Sequence, residues 1–256
     1  MSKLTIQEIK DLLLTIKDLE DSRLLELRKD PRKGVQRLLV SHKKRVEKQT
    51  LLIQAHREKL LHENRLKKQG YRFIAGIDEV GRGPLAGPIV TAAVVLPEDT
   101  SAFLGIDDSK RLSESKRLAF AEIIKKEALA YSISIGPVDL IDRVNIYQAT
   151  RITMTHSVEG LSIIPEYLLI DAMTIDSPLP QESIIKGDQN SLSIAAASVL
   201  AKVHRDQMMK EYDHTYPGYD FGHNMGYGTA NHLKALRELG YTPIHRKSFE
   251  PIKSMV

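Results

Sequence analysis

The chain has 256 residues, 42% of them hydrophobic and 27% charged, and it contains no cysteine. This composition excludes disulfide bonds, thiol nucleophiles, cysteine-ligated zinc and iron–sulfur clusters, and it is typical of a globular protein in a reducing cytoplasm. No apolar run approaches the roughly 18 residues that a membrane helix needs, so we expect a cytoplasmic protein that acts without a membrane.

The net charge of +4 is unevenly distributed along the chain. Residues 1–70 contain 18 Lys and Arg against 10 Asp and Glu, and within them residues 31–70 contain 12 against 3. The rest of the chain is acidic, with 19 against 23. A basic segment joined to an acidic body suggests a polyanionic partner together with carboxylates that bind cations, although a solvated helical face would carry the same charges.

Residues 1–70 show helical patterns and no strand-like alternation, so they predict a basic helical accessory domain. Thr5 and Glu8 form a capping box that opens a first helix, and a short second helix stops at Pro31. A long amphipathic helix is predicted over residues 35–68. Apolar residues recur at every seventh position along it, at Leu39, Val46, Ile53 and Leu60. We expect this stripe to pack on the body rather than in a coiled coil, because the complementary heptad positions are polar: His42, Gln49 and His56.

Residues 71–215 predict an α/β domain with a mixed sheet flanked by helices. Short β-branched runs bounded by Gly and Pro predict five strands, over residues 71–78, 88–96, 131–136, 166–171 and 183–186. Segments with helical spacing predict three long helices, over residues 113–130, 143–161 and 191–212. Residues 216–256 form a C-terminal tail that is rich in Gly, Tyr and His, with one helix predicted over residues 229–239.

Carboxylates follow three of the predicted strands. Asp78 and Glu79 come at the end of the first, Asp171 ends the fourth, and Asp188 follows the fifth just before a helix. If these ends lie together, the four acids repel one another and raise each other's pKa unless cations neutralise them. Ligation by oxygen alone selects Mg²⁺ or Mn²⁺, and two such ions about 4 Å apart are the usual device for phosphodiester displacement. Single strand-end acids are also common without any ion.

A glycine-rich turn follows the first pair of acids. Successive side chains of a strand point to opposite faces, so Asp78 and Glu79 reach one site only if the backbone breaks there, which Gly81 and Gly83 would permit. A phosphate-binding P-loop is excluded because no Gly-Lys-Ser/Thr follows, and the glycine spacing does not fit a dinucleotide fingerprint.

Polar residues elsewhere favour a polyanionic substrate. On the helix predicted over residues 191–212, three of them lie four and three positions apart, on one face that could contact phosphates: Ser198, Lys202 and Arg205. Salt bridging to Asp206 is the alternative for this face. Ser109 and Lys110 lie between a predicted strand and the helix predicted over residues 113–130. There, backbone amides and the lysine side chain could bind another phosphate.

Six separated segments carry a resemblance to a known family: GIDEVGRGPLAGP, DDSKRLS, LLIDAM, KGD, SIAAASVLAKVHRD and GYGT. In this order and spacing they resemble bacterial ribonuclease HII, the type 2 ribonuclease H family, over about residues 71–241. The resemblance implies a ribonuclease H-like fold. It also implies four catalytic, metal-binding acids, which fall on the residues that the strand ends had already selected: Asp78, Glu79, Asp171 and Asp188.

The resemblance also implies how the substrate is recognised. In this family the Gly-Arg-Gly turn, here Gly81, Arg82 and Gly83, reads the ribose 2′-OH at an RNA–DNA junction. A tyrosine of the C-terminal part stacks on the adjoining deoxyribose. Tyr227, within Gly-Tyr-Gly-Thr, is the candidate for this role, and Tyr219 is the alternative.

The implied activity is that of an endoribonuclease using Mg²⁺ or Mn²⁺ in a two-metal mechanism. It hydrolyses the RNA strand of RNA/DNA hybrids, cuts on the 5′ side of ribonucleotides embedded in duplex DNA and leaves 5′-phosphates. We expect a monomer whose partners are these hybrids and duplexes. One alternative is the type 3 enzyme, against which the helical, strand-free residues 1–70 argue. The other is a non-catalytic hybrid-binding protein, against which the retention of all four acids argues.

Overall fold

The computed structural model describes residues 4–256, and the chain separates into two compact units, Met1–Arg57 and Glu58–Val256. Within the described residues, no helix combines the length and the apolar character needed to cross a membrane. The division between the units falls inside a helix, Lys33–Lys59, rather than in a loop. The predicted domain limits after residues 70 and 215 stay predictions.

The first unit is helical. It contains α1 (Ile6–Thr15), α2 (Ser22–Arg28) and most of α3 (Lys33–Lys59). The predicted capping box is confirmed, because Glu8 N–H donates to Thr5 Oγ1 at 3.2 Å and Thr5 N–H donates to Glu8 Oε2 at 2.7 Å. As predicted, α2 ends before Pro31. Buried aliphatic side chains form the core of this unit: Ile9, Leu13, Ile16, Leu24, Leu27 and Val35.

The helix predicted over residues 35–68 is two helices in the structure. The helical geometry is interrupted at Leu60 (φ −88°, ψ 2°), after which α4 (Leu61–Lys68) begins. The apolar repeat is also not one packed stripe. Val46 is buried, but Ile53 is 37% exposed, so only part of the repeat contributes to a core.

The second unit contains the predicted five-stranded mixed sheet. Its strands are β1 (Ile74–Val80), β2 (Ile89–Val95), β3 (Ala130–Gly136), β4 (Tyr167–Asp171) and β5 (Gln181–Ile184). Their order in the sheet is β3-β2-β1-β4-β5, with β1 antiparallel to β2, β2 antiparallel to β3, and β4 parallel to both β1 and β5. The central strand β1 therefore has a parallel neighbour whose carboxyl end lies at the same edge of the sheet as its own.

Helices cover both faces of this sheet. Besides α4, the second unit contains α5 (Glu114–Glu127), α6 (Val138–Val144), α7 (Ile146–Glu159), α8 (Gly187–Asn190), α9 (Leu192–Thr215), α10 (Phe221–Asn224) and α11 (Ala230–Leu239). One core lies between the sheet and α5 and α9, and the other lies between the sheet and α7. The small-residue face of α9 allows very close packing: a side-chain carbon built on Gly76 of β1 would lie 2.2 Å from the Ser193 carbonyl carbon.

Two predicted elements differ from the structure in their limits. The helix predicted over residues 143–161 begins only at Ile146, because Asn145 adopts φ 69° and caps α7 by accepting a hydrogen bond from Gln148 N–H at 3.1 Å. The strand predicted over residues 183–186 is shifted, and β5 ends at Ile184. Lys186 then takes a left-handed conformation that turns the chain into α8.

Candidate active site

Three carboxylates meet at the carboxyl ends of β1 and β4. The last residues paired between these strands are Ile77 and Ile170, so Asp78 and Asp171 follow them side by side. One carboxylate oxygen from each of Asp78, Glu79 and Asp171 lies within 4.8 Å of the others. The structure thus brings together three of the four predicted acids.

The expectation that the backbone breaks at the two adjacent acids is wrong. The ladder between β1 and β2 runs unbroken past Asp78 and Glu79 to Val80. The ladder to β4 stops earlier, and after Asp171 the chain turns away with Ala172 at φ 47°. No strand is therefore paired to Glu79 on that side, so its long side chain has room to reach the carboxylates at the strand ends.

Burial and like charge shift the titration of this cluster. Burial, followed by the charges of Glu79 and Asp171, raises the pKa of Asp78 well above its usual range. Burial and the charge of Asp171 raise the pKa of Glu79 to about 7, although Arg82 and Lys110 oppose this shift. Burial also raises the pKa of Asp171. The protein cations at the site therefore do not fully offset the cost of burying three carboxylates close together.

The donor set fits a divalent cation. Glu79 Oε2 is buried and has no hydrogen-bond partner, which is costly for a carboxylate unless a cation binds there. The three residues offer only oxygen atoms, the ligands that Mg²⁺ and Mn²⁺ prefer. The prediction of an acidic metal site at the strand ends is thus supported by geometry and by charge.

Asp188 lies beside this cluster, on α8. The preceding residue, Gly187, donates its N–H to Asp171 Oδ1 at 2.6 Å. Burial, followed by the charges of Asp108 and Asp171, raises the pKa of Asp188 to about 6. The carboxylate of Asp188 does not belong to the group of three within 4.8 Å, and its role as a fourth ligand stays a prediction.

Two buried charged residues that the sequence analysis missed hold α8 in place. Lys59 Nζ donates to the carbonyl oxygens of Gln189 at 2.7 Å and of Asp188 at 3.4 Å, and to Asp107 Oδ1 at 3.0 Å. Glu63 Oε1 accepts hydrogen bonds, all of 2.6–3.0 Å, from the two serines at the start of α9. Both lie in a run of exposed charged residues, and nothing in that pattern marks them as buried.

The glycine-rich turn is shaped by two buried arginines. Arg246, which the sequence analysis did not single out, donates to the carbonyl oxygens of Gly81, Arg82 and Gly87. Arg205 donates to three further carbonyl oxygens at 2.9–3.1 Å, those of Ala86, Pro88 and Met225. Gly81 has φ 101°, and a side-chain carbon built there would lie 2.3 Å from Arg205 Nε. Only glycine fits this position.

The polar face predicted on α9 does not contact solvent as a unit. Arg205 is fully buried, so it is not positioned to touch a phosphate and instead supports the turn. Lys202 Nζ lies 2.6 Å from Asp206 Oδ1, the salt bridge considered as the alternative. Ser198 is buried next to the acids, where it lowers the pKa of Asp78 and its hydroxyl lies 3.0 Å from the Ser109 hydroxyl.

Lys110 and the two candidate tyrosines differ in their access to a substrate. Lys110 is exposed, and its charge lowers the pKa of both Glu79 and Asp171. Tyr227 is 45% exposed, with Cε1 3.4 Å from a side-chain carbon built on Gly83. Tyr219 is only 5% exposed; its hydroxyl donates to the Gly240 carbonyl at 2.8 Å, and its ring stacks on Phe221. Of the two, only Tyr227 borders the turn and is exposed.

The chain is similar to known proteins over its whole length. The chain matches the family Ribonuclease HII over residues 75–252 and the family Ribonuclease HII N-terminal domain over residues 5–67. A ribonuclease HII from Enterococcus faecalis (strain ATCC 700802 / V583) is 51% identical over 256 residues, covering 100% of both chains.

Solved structures of related enzymes share the fold. The crystal structure of the ribonuclease H2 from Pyrococcus horikoshii OT3 matches with a TM-score of 0.62 and 22% identity, covering 72% of this chain and 97% of that chain. The crystal structure of Bst-RNase HIII in complex with Mn²⁺ matches with a TM-score of 0.54 and 20% identity, covering 71% and 68%. These matches support the ribonuclease H-like assignment of the mixed sheet and its flanking helices.

Proposed function

The chain belongs to the ribonuclease HII family and is a metal-dependent ribonuclease that acts on RNA/DNA hybrids, and we propose that it cuts on the 5′ side of ribonucleotides embedded in duplex DNA. The observation that carries this proposal is the position of Gly81, Arg82 and Gly83. This turn directly follows the strand that contains Asp78 and Glu79. The exposed ring of Tyr227, from the C-terminal part of the chain, lies next to the turn at Gly83.

Four acids would hold the metal ions. Asp78, Glu79 and Asp171 would bind directly, and Asp188 would complete the set for two Mg²⁺ or Mn²⁺ ions. Bound ions of this kind activate water for attack on the phosphorus and stabilise the charge that develops on the leaving 3′-oxygen. A hydrolysis of this type needs no covalent intermediate and leaves a 5′-phosphate. The Mn²⁺ bound by the type 3 enzyme of the same fold supports the choice of ions.

The turn would read the ribose. Arg205 and Arg246 occupy carbonyl oxygens of residues 81–88, which fixes the backbone before any substrate arrives. Among residues 4–256, no acceptor lies within hydrogen-bond reach of the N–H groups of Arg82 and Gly83. These amides are therefore available to a 2′-OH, the group that distinguishes RNA from DNA.

The other groups would position the strand. Tyr227 offers an exposed aromatic face for stacking on the sugar next to the ribonucleotide. Lys110 places an exposed charge beside the acids, where it would pair with a backbone phosphate. Recognition and cleavage would thus take place at adjoining groups of one site.

One cleavage assay tests the proposal. A DNA duplex with a single embedded ribonucleotide, incubated with Mg²⁺ or Mn²⁺, should be cut once, on the 5′ side of the ribonucleotide, with a 5′-phosphate on the downstream fragment. An all-DNA duplex of the same sequence should stay intact. Cleavage of long hybrids alone would indicate type 3 behaviour instead, and binding without any cleavage would indicate a non-catalytic hybrid-binding protein.

A further inference from the structure

The exposed face of α3 in the first unit carries a stripe of four cations. Their spacing of four, seven and four residues places them within about 60° of one another around the helix and over about 22 Å of its length: Lys33, Arg37, Lys44 and Lys48. All four are exposed. We call this set the α3 stripe.

The fold of the unit turns the α3 stripe outward. Val35, His42 and Val46 form the buried face of α3, and they lie on the opposite side of the helix from the stripe. Arg45 is excluded from the stripe because it bends back to donate to the Leu13 carbonyl. The stripe therefore makes no contribution to the core, and its charges are not needed to hold the unit together.

The stripe is also not neutralised by acidic residues. Glu47 is the only acid between residues 33 and 51, and it pairs with Lys43 at 3.7 Å on the neighbouring face. Within residues 4–256, no carboxylate lies within 4.0 Å of any of the four stripe cations. Four unpaired cations in a row form a surface for an extended polyanion, because each charge gains most from a partner that repeats along the same line.

We propose that the α3 stripe binds the phosphate backbone of the nucleic-acid duplex that the enzyme cleaves. The proposal rests on the function proposed above, since that function supplies a long, regularly charged substrate. Lysine and arginine contacts to phosphates position a protein without reading sequence. The stripe therefore adds affinity for every duplex, while the choice of the cut stays with the turn and Tyr227.

Binding measured against salt concentration tests the proposal on the full chain. The four stripe residues are changed to Gln, which has a similar helix propensity, in an Asp78→Asn background that prevents cleavage. Each phosphate contact contributes about 0.9 to the slope of log K against log salt. Losing all four should make the slope shallower by about 3 to 4 units, equally for an all-DNA duplex and an RNA/DNA hybrid.

A matched control separates local contacts from the total charge. The control variant loses the same number of charges at exposed lysines outside the stripe: Lys10, Lys17, Lys29 and Lys126, each changed to Gln. Its slope should change by less than about one unit. With Asp78 intact, the stripe variant should cut the same bond as the unaltered enzyme but should need a higher substrate concentration to do so.

Two results would overturn the proposal. One is a slope that the stripe variant leaves unchanged, which would assign the stripe to solvent or to an acidic protein instead. The other is an equal decrease of the salt slope in the stripe variant and the control variant, which would show that the slope depends on the net charge of the protein and not on the position of the charges. Neither result depends on cleavage, so a failure of the function proposed above would appear separately, as an intact single-ribonucleotide duplex with the unaltered enzyme.

Discussion

The carboxylate cluster should make the metal-free protein less stable as the pH rises, and Glu79→Gln tests this directly. The Glu79 side chain is only 13% exposed, and its pKa is raised from 4.5 to about 7. Because the folded chain holds this proton more tightly than the unfolded chain, protonated Glu79 contributes its full share to the free energy of unfolding below pH 4.5. That contribution is lost as the pH rises through 7. Glutamine stays neutral at every pH and so avoids this loss.

The shift sets the expected size of the effect. From the two pKa values, the raised pKa of Glu79 lowers the free energy of unfolding, relative to its value at low pH, by about 1 kcal/mol at pH 5 and by about 3 kcal/mol at pH 8. Glu79→Gln removes few favourable contacts, because Glu79 Oε2 has no hydrogen-bond partner and Oε1 lies 3.8 Å from Arg82 Nη1. In EDTA, the variant's advantage in the free energy of unfolding should therefore grow by about 2 kcal/mol between these two pH values.

Urea unfolding in EDTA, repeated from pH 5 to pH 8, measures this difference. Glu122→Gln on the exposed surface of α5 is the control, and its difference from the unaltered chain should be small and independent of pH. Saturating Mg²⁺ should stabilise the unaltered chain more than Glu79→Gln and so reduce the advantage of the variant. A difference between Glu79→Gln and the unaltered chain that is constant over this pH range would refute the reasoning.

Four further substitutions have distinct expected outcomes. Asp171→Asn should lower cleavage of the single-ribonucleotide duplex more than about 100-fold without lowering the melting temperature in EDTA, because it removes like-charge repulsion. Tyr227→Ala should cost about 1–3 kcal/mol in kcat/KM at the single ribonucleotide while the thermal shift caused by Mg²⁺ persists. Lys59→Met should raise the Mg²⁺ concentration for half-maximal thermal stabilisation about 10-fold or more, and Lys59→Arg should recover part of that affinity. Arg246→Lys should reduce kcat/KM at the ribonucleotide about 10-fold, since the compact ammonium cannot reproduce the wide planar fork with which the guanidinium reaches the separate carbonyl oxygens, and the Mg²⁺ midpoint should not move.

Local sequence signals were sufficient for most of the fold. Capping residues, glycine and proline boundaries and β-branched runs act over a few neighbouring residues, so the strands and long helices could be predicted to within a few positions. The acids could also be predicted, because a single strand-end carboxylate is common but three apolar strands that are each followed by one are not. The interruption at Leu60 and the shift of β5 depend on packing between distant segments, which a local pattern does not contain.

The tertiary role of a charged residue was the part that the sequence could not supply. Ser198, Lys202 and Arg205 share one helical face by spacing, yet the fold buries Arg205, pairs Lys202 with Asp206 and places Ser198 beside Asp78. Spacing defines which side chains share a face, but the neighbours of that face are decided by segments far away in the chain. The same limit explains why Lys59 and Arg246 were not recognised.

The buried arginines show how this chain uses charge to shape its glycine-rich turn. Burial lowers the pKa of Arg205 to about 10 and that of Arg246 to about 9, yet both stay protonated at neutral pH. No carboxylate lies within 4.0 Å of either guanidinium in the described residues, so backbone carbonyl oxygens provide their solvation. Carbonyl groups drawn toward the two guanidinium groups hold the turn in one conformation, and the two unneutralised charges beneath it favour the approach of a phosphate. Hydrogen bonds to these carbonyl oxygens offset the desolvation of the two cations, and a turn that is already ordered lowers the entropic cost of binding the nucleic acid.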